Sequence, residues 1–186
     1  MIVEFINDLN KTNEALEPAV KNNYRNYVDE HKKYVLKAFN LLRETCSDIF
    51  ANDAIKIDDL EENINHHDDS KFLAIEFDAY ANKWFGDKKH TPEYEEAWKH
   101  HWQSNPHHPE YWQGEDMPAE YVIEMICDWM SFGLKQNNVS ELFDFYENKA
   151  KDDPEKMLSK NTKELIEQYL EIIKQVADKI AKLNEN

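Results

Sequence analysis

Residue types that commonly bind metal ions recur along this chain in the order histidine, histidine–aspartate, aspartate. They are His31, the adjacent His67 and Asp68, and Asp128. Imidazole nitrogens and carboxylate oxygens together suit Mn, Fe, Co, Ni or Zn better than Mg or Ca. Protein-bound ions of this kind activate water for hydrolysis. The pattern therefore predicts a metal centre assembled from separate parts of the chain.

Further histidines lie between the first ligands and Asp128. Half of the eight histidines fall in one short segment, at His100, His101, His107 and His108. Helical spacing turns His101 inward, whereas the two later histidines follow a proline and lie in a loop. His101 and His107 are candidates to hold a second ion, and the histidines of this segment could instead bind phosphate as imidazolium. The number of ions, one or two, and the participation of His100 or His108 stay open.

Three residues are candidates for direct roles in catalysis: Asp68, Lys71 and Glu124. Asp68 would bridge the two ions, and the Lys71 ammonium would contact a substrate phosphate. Glu124 lies one turn before Asp128 on a face lined with aromatic residues, where two carboxylates are costly to bury without a cation. Glu124 or Asp69 would orient the metal ligands without binding the metal directly.

Helices must position all of these residues, because only three glycines are available for tight turns and nothing reads as a strand. The clearest helix covers about 19–46 and carries His31 on its apolar stripe. The other predicted helices are at 57–65, from an N-cap at Ser70, from Thr91-Pro92 to Asn105, from Pro118 to Phe132, at 139–149, from Asp153-Pro154, and at 162–183. We expect a compact all-α bundle of six to eight helices. We expect a single domain over 1–186, with its core at about 19–150 and a C-terminal helix at about 160–184 packed on it.

Composition narrows the range of partners. The formal net charge of −16 repels nucleic-acid duplexes and anionic membrane surfaces. No apolar run approaches the ~18 residues of a membrane span, and the N-terminus lacks the pattern of a signal peptide. The two cysteines, Cys46 and Cys127, lie in apolar contexts and read as buried free thiols. We therefore expect a cytoplasmic protein.

The order of His31, His67-Asp68 and Asp128 resembles that of the HD-domain superfamily of metal-dependent phosphohydrolases. The string from His67 to Lys71 is similar to the HD-x-G-K variant found in the HD-GYP cyclic-dinucleotide phosphodiesterases. The GYP string itself is absent, and the residues from Gly114 to Pro118 stand in its place. The strings at 30–32, 66–72, 97–108 and 124–129 look more like an uncharacterised bacterial and phage family of HD-like proteins. That similarity covers about 24–146.

The resemblance implies an HD-type helical bundle with these four residues as metal ligands. It implies a metal-dependent phosphohydrolase that uses one or two divalent transition-metal ions (Mn, Fe, Co, Ni or Zn). The expected substrate is a small phosphorylated molecule, a nucleotide, and Trp102, Tyr111 and Trp112 are candidates for stacking on its base. Lys71 stands where the nucleotidase branch tends to carry a glutamate that acts on water, which favours phosphate binding there.

Two alternatives remain open from the sequence. One is an oxygenase resembling the inositol oxygenase group, whose two-iron site uses four histidines and two aspartates. The matching residues here are His31, His67, His101, His107, Asp68 and Asp128. The other is a non-catalytic regulatory protein that binds a metal or a nucleotide. A homodimer is also open, since the aromatic segment 95–112 could be either a lid or a dimer contact.

Overall fold

A computed structural model describes residues 16–51, 55–87 and 89–185. Within these ranges all regular structure is helical, so the all-α prediction is confirmed. The nine α-helices of the described ranges are α1 (Pro18–Thr45), α2 (Ile57–Asn65), α3 (Ala74–Phe85), α4 (Pro92–Ser104), α5 (Pro109–Trp112), α6 (Ala119–Lys135), α7 (Glu141–Phe145), α8 (Lys160–Gln175) and α9 (Ala177–Asn184). Two 3-10 segments, Ser47–Ala51 and Asp69–Phe72, and a π-helical turn, Tyr146–Ala150, complete them.

The centre of the fold is the pair of long helices α1 and α6, which pack along each other. Most side chains of α6 are buried, as is expected of a helix that is apolar on nearly every face. The buried stripe of α1 includes Val28, His31 and Val35, whose three- and four-residue spacing places them on one face. Helix α3 covers the N-terminal half of α1, and α4 packs on α3. Imidazole and carboxylate groups on α1 and α6 therefore meet inside the protein.

Proline and hydroxyl signals predict several helix ends correctly. Pro18 occupies the first turn of α1, where its missing N–H is not needed. The Thr91 hydroxyl accepts a hydrogen bond of 3.3 Å from the Tyr94 N–H, and this cap begins α4. Asn105, which precedes Pro106, is extended (φ −127°) and ends α4.

The predicted N-cap at Ser70 is wrong. Residues Asp69–Phe72 form a 3-10 turn, and α3 begins only at Ala74 after the extended residue Leu73. The Ser70 hydroxyl donates to Glu76 Oε2 (3.1 Å) and also lies 3.1 Å from His101 Nδ1. The Ser70 hydroxyl therefore contacts polar side chains of the interior and does not cap a helix.

The C-terminal third also differs from the prediction. Asp153-Pro154 lies in a turn, and α8 begins at Lys160, where the Ser159 hydroxyl accepts from the Thr162 N–H at 3.0 Å. The single helix expected at 162–183 is interrupted at Val176, whose backbone (φ −120°, ψ 11°) leaves the helical region. Helix α6 continues past Phe132 to Lys135, and the segment predicted as a helix at 139–149 divides into α7 and the π-helical turn.

A helix that crosses a bilayer has to be both long and apolar. In the ranges 16–51, 55–87 and 89–185, no helix is both long enough and apolar enough to cross a membrane.

Gly133 is predicted to be a sensitive position near the end of α6. The chain folds back over it, and the Asn138 N–H donates to the Gly133 carbonyl at 2.8 Å. A Cβ at this position would collide with the Asn138 carbonyl oxygen, which is backbone and cannot rotate away. We expect Gly133→Ala to lower the free energy of unfolding by about 1–3 kcal/mol, as overpacking does. Urea denaturation measures the loss, and Gln136→Ala, an exposed change in the same turn, should leave stability unaltered. Equal stability of both variants would contradict this packing.

Candidate metal centre

All of the predicted metal ligands converge in one place, together with one further histidine. The converging side chains are His31 from α1, His67 and Asp68 from the turn after α2, His101 from α4, His107 and His108 from the loop after α4, and Asp128 from α6. The His67 and Asp68 residues are each 1% exposed. Residues distant in sequence thus form a single polar cluster in an otherwise apolar interior.

Asp68 lies at the middle of the cluster, and its Oδ2 atom faces the first group of ligands. Asp68 Oδ2 is 3.5 Å from His31 Nε2 and 3.5 Å from His67 Nε2. Asp128 Oδ1 closes this group, at 3.0 Å from His31 Nε2 and 3.7 Å from His67 Nε2. Two imidazole nitrogens and two carboxylate oxygens therefore surround one point.

The other oxygen of the same carboxylate faces a second group. Asp68 Oδ1 is 3.3 Å from His101 Nε2 and 3.7 Å from His107 Nε2. His108 Nε2 lies 2.9 Å from His101 Nε2, so His108 belongs to this group as well. His100, whose role the sequence left open, is directed elsewhere and contacts Glu76 Oε1 at 2.6 Å.

The backbone of the turn after α2 accounts for the central position of Asp68. Helix α2 ends at Asn65, and Asp68 adopts the left-handed conformation (φ 60°, ψ 16°). Aspartate and asparagine tolerate this region better than most other residues, because a short polar side chain can bond locally. The reversal directs His67 and Asp68 into the interior and leaves Asp69 at the surface.

All imidazoles of the cluster except that of His108 are held in place through Nδ1, which contacts a side-chain oxygen of another residue. Glu124 Oε1 contacts both His67 Nδ1 (2.9 Å) and His107 Nδ1 (3.0 Å). His101 Nδ1 contacts Glu76 Oε2 at 3.0 Å. Such contacts fix the tautomer and leave Nε2 available as a ligand. Glu124 therefore lies where a residue that orients ligands of both groups must lie.

Two of these supporting residues are not identified by the sequence analysis. Glu76 is 0% exposed on α3, and Ser131 on α6 places its hydroxyl 3.2 Å from His31 Nδ1. A signal for Glu76 exists, since it precedes the buried Tyr80 by one helical turn and shares its inward face. No comparable signal marks a serine.

Several other candidates lie apart from the cluster or have other partners. Asp69 is exposed and pairs with Lys32 and His66, so it does not orient the ligands as expected. The Trp112 indole N–H donates to the Pro106 carbonyl at 2.7 Å and so braces the loop that carries His107. Tyr111 is exposed at the surface. The aromatic ring that packs edge-on against His108 is instead Trp98.

Lys71 lies at the side of the first group. Its Nζ atom is 2.5 Å from Asp68 Oδ2, and its side chain is 20% exposed. Its only close partner among the described residues is therefore the carboxylate at the middle of the cluster. The Lys71 side chain thus lies between Asp68 and the solvent.

Unpartnered atoms and buried charge both show that the donor set fits metal ions. His67 Nε2, Asp68 Oδ1 and His107 Nε2 are buried and have no hydrogen-bond partner among the described residues. Buried polar atoms are rarely left in that condition. The cluster and its supporting residues also contain four carboxylates, of Asp68, Asp128, Glu76 and Glu124, and only Asp68 pairs with a lysine among the described residues. Such an excess is costly without positive charge. Cations at the two groups would meet both requirements.

The pKa values of the cluster also indicate that its surroundings favour positive charge. Burial lowers the pKa of His67, but the charge of Asp68 and the contacts with Asp128 and Glu124 outweigh it and raise this pKa to about 10. Burial raises the pKa of Glu124, yet His107 and His67 bring it down to about 2. Burial, His107 and His101 hold the pKa of His108 well below its usual range, so this imidazole stays neutral. The neutral form of imidazole is the one that binds metal ions.

The bridging position of Asp68 leads to a prediction about metal content. Asp68→Asn keeps a side chain that tolerates the left-handed backbone, but it removes the charge that both ligand groups share. We expect the wild type to bind Mn, Fe, Co, Ni or Zn ions and Asp68→Asn to lose them, as measured by elemental analysis of the purified proteins. Asp69→Asn is the matched control, because the neighbouring carboxylate faces solvent, and it should retain the metal. Equal, negligible content in wild type and Asp68→Asn would refute the metal centre.

A second prediction concerns Glu124, which holds one histidine of each group. Loss of a residue that orients metal ligands typically weakens metal binding by about 10–100-fold. We expect a loss of this size in Glu124→Gln, measured by titration of the metal-free protein against a chromophoric chelator. Glu120→Gln, one turn earlier on α6, should bind as the wild type does. If both variants bind equally well, the Nδ1 contacts do not contribute to affinity.

Comparison with known proteins agrees with the span of the cluster but supplies no activity. A model described as "Family of unknown function (DUF5662)" matches residues 20–172, which include every side chain of the cluster. No curated protein and no solved structure matches the chain. Because the matched segment covers most of the sequence, this chain belongs to the DUF5662 family of unknown function.

Proposed function

We propose that this protein is a metal-dependent phosphohydrolase of the HD-domain type, acting on a small phosphorylated substrate, a nucleotide. The observation that carries the proposal is Asp68, whose two oxygens each face a separate group of ligands. Paired ions about 3.5–4 Å apart are a recurring arrangement in phosphatases and nucleases. The order of His31, His67-Asp68 and Asp128, and Lys71 three residues after Asp68, support the HD-type assignment.

The residues that would hold the ions follow from the geometry above. His31, His67 and Asp128 would hold one with Asp68 Oδ2, and His101, His107 and His108 would hold the other with Asp68 Oδ1. Bound ions of this class lower the pKa of water towards ~7 and neutralise charge that develops on a phosphoryl group. Glu124 and Glu76 keep the histidines in position for this chemistry.

Substrate is expected to approach from the side of Asp128 and Lys71. The Asp128 side chain is 16% exposed, whereas those of His67 and Asp68 are almost fully covered. The Lys71 side chain is 20% exposed and carries a positive charge in a protein of net charge −16. Its ammonium pairs with Asp68 Oδ2 and would exchange this partner for a substrate phosphate. Lys71 therefore contributes local attraction for an anion that the overall charge repels.

The oxygenase hypothesis remains the second candidate, because the structure brings together all six residues that it needs. Asp68 is surrounded by four imidazoles and lies close to the Asp128 carboxylate. The imidazoles are those of His31, His67, His101 and His107. Iron bound in a two-to-one ratio, together with substrate-dependent oxygen uptake, would favour this candidate. Saturable nucleotide binding without turnover would instead favour the regulatory protein.

The proposed setting is the cytoplasm. Cys46 and Cys127 are both buried free thiols, and such thiols are typical of a reducing compartment. The expected partner is the small phosphorylated substrate, and a homodimer stays open. The strong negative charge disfavours nucleic-acid duplexes and anionic membrane surfaces.

The phosphohydrolase prediction is tested with Lys71. We expect the protein with added Mn, Co or Ni to release inorganic phosphate from nucleotides or from model phosphodiesters. We expect Lys71→Met to lose about 10-fold or more in kcat/KM while it keeps its metal, since one charge-assisted contact with phosphate is worth about 1.5–3 kcal/mol. Lys32→Met removes a nearby lysine that pairs with the surface residue Asp69, and it should retain activity. No phosphate release with any metal would overturn the proposal. Loss of metal in Lys71→Met would instead assign this lysine a structural role.

A further inference from the structure

An open groove lies beside the first ligand group, against the outer face of α1. Its volume is about 620 Å³, within the range of about 300–1,000 Å³ for small-molecule sites. A smaller cavity adjoins it and is lined by His31 and Phe132, and Tyr27, Glu30 and Lys135 form walls of both. Tyr27, a wall of both cavities, therefore stands between the groove and His31 of the metal centre.

The aromatic surface of this groove is exposed and lies next to the ligands. Tyr27 precedes His31 by one helical turn, and the two rings are nearly parallel (8°) with centroids 6.4 Å apart. Tyr27 is 36% exposed, and Phe85 adjoins its ring at 5.8 Å. On the other side, the ring of Phe132 lies 5.1 Å from that of His31 and is 44% exposed. Flat apolar surface of this kind is suited to stacking with a planar group.

Polar groups in the same groove can read the edge of such a planar group. The side chains of Asn23 and Asn26 line it, and each amide offers both donors and an acceptor. Both asparagines are exposed and make no hydrogen bond within the part of the chain that the structure describes, so their amides can bond to a ligand. Stacking on tyrosine combined with amide hydrogen bonds is how proteins commonly bind an unpaired nucleobase.

The charge of the groove limits what else it can hold. Asp29 and Glu30 are balanced by Lys33 and Lys135, and Lys135 Nζ is 2.5 Å from Glu30 Oε2. The walls thus carry no net positive charge, in a protein whose overall charge is −16. A second phosphate placed here would meet two carboxylates without a surplus of cations. An uncharged nucleoside would not meet this cost.

We infer that the groove lined by Tyr27, Asn23 and Asn26 is the base-binding subsite of this enzyme, which takes the nucleoside part of a single nucleoside monophosphate. The inference rests on the proposed function, because the phosphate is directed to Lys71 and the metal centre. It adds that recognition of the base resides on α1. It also adds that mononucleotides are preferred over dinucleotides, whose internal phosphate would lie among Asp29 and Glu30.

The test measures binding to the protein loaded with Mn²⁺, so that it does not depend on turnover. The probes are adenosine 5′-thiomonophosphate, which resists hydrolysis, and inorganic thiophosphate, which shares its anionic group but has no base. By calorimetry we expect the nucleotide to bind about 5–100-fold more tightly, the range that stacking of one base supplies. In Tyr27→Leu this ratio should fall several-fold. In Tyr111→Leu, a change of a tyrosine that is 42% exposed and lies outside the groove, the ratio should stay as in the wild type.

Other outcomes distinguish this inference from the proposed function. Equal binding of the two probes by the wild type, or a ratio unchanged by Tyr27→Leu, overturns the base-binding subsite even if phosphate esters are hydrolysed. Preferential, Tyr27-dependent nucleotide binding without any phosphate release sustains the subsite and refutes the hydrolase. A phosphorothioate-linked dinucleotide of adenosine with a 5′-thiophosphate should bind no more tightly than the mononucleotide. Tenfold tighter binding would overturn the preference for a single nucleotide.

Discussion

The carboxylate of Asp68 is the constraint on which the rest of the structure depends. It is 1% exposed, it faces four imidazoles within 3.7 Å, and it also holds the Lys71 ammonium. A buried carboxylate is tolerated only where positive charge or hydrogen-bond donors compensate for the lost hydration. The surrounding helices and turns therefore have to place histidines next to this carboxylate.

The scaffold meets that demand by dividing the work between long helices and short irregular segments. Helices α1 and α6 are fixed by apolar packing over many turns, so His31 and Asp128 are held by rigid elements. The left-handed turn at Asp68 and the loop around His107 supply the remaining ligands, because their backbones can aim side chains that a regular helix would direct elsewhere. Trp112 restrains this loop through the Pro106 carbonyl, so that a short segment between prolines keeps a defined shape.

Sequence reasoning recovers the parts of this arrangement that have a period or a local signal. The ends of α1 and α4 follow from Pro18, Thr91 and Asn105, and the inward direction of His31 follows from the apolar stripe. The Val176 break and the late start of α3 could not be predicted, because tertiary packing decides them. His108 shows the same limit within the site. Whether a loop histidine turns inward depends on Trp98 and His101, which lie on a different element.

The two ligand groups differ in ways that bear on how they would share the chemistry. The first group combines His31 and His67 with two carboxylates, and it lies beside Lys71 and the partly exposed Asp128. The second group has three histidines but only Asp68 as carboxylate, and Trp98 covers it from outside. Carboxylate-rich coordination leaves less net charge on a bound cation than neutral imidazoles do. An ion held by the imidazole-rich group would thus keep more of its positive charge. The first group is the one that borders Lys71 and lies beside Tyr27. Under the proposed function, a substrate would therefore contact mainly the first group of residues.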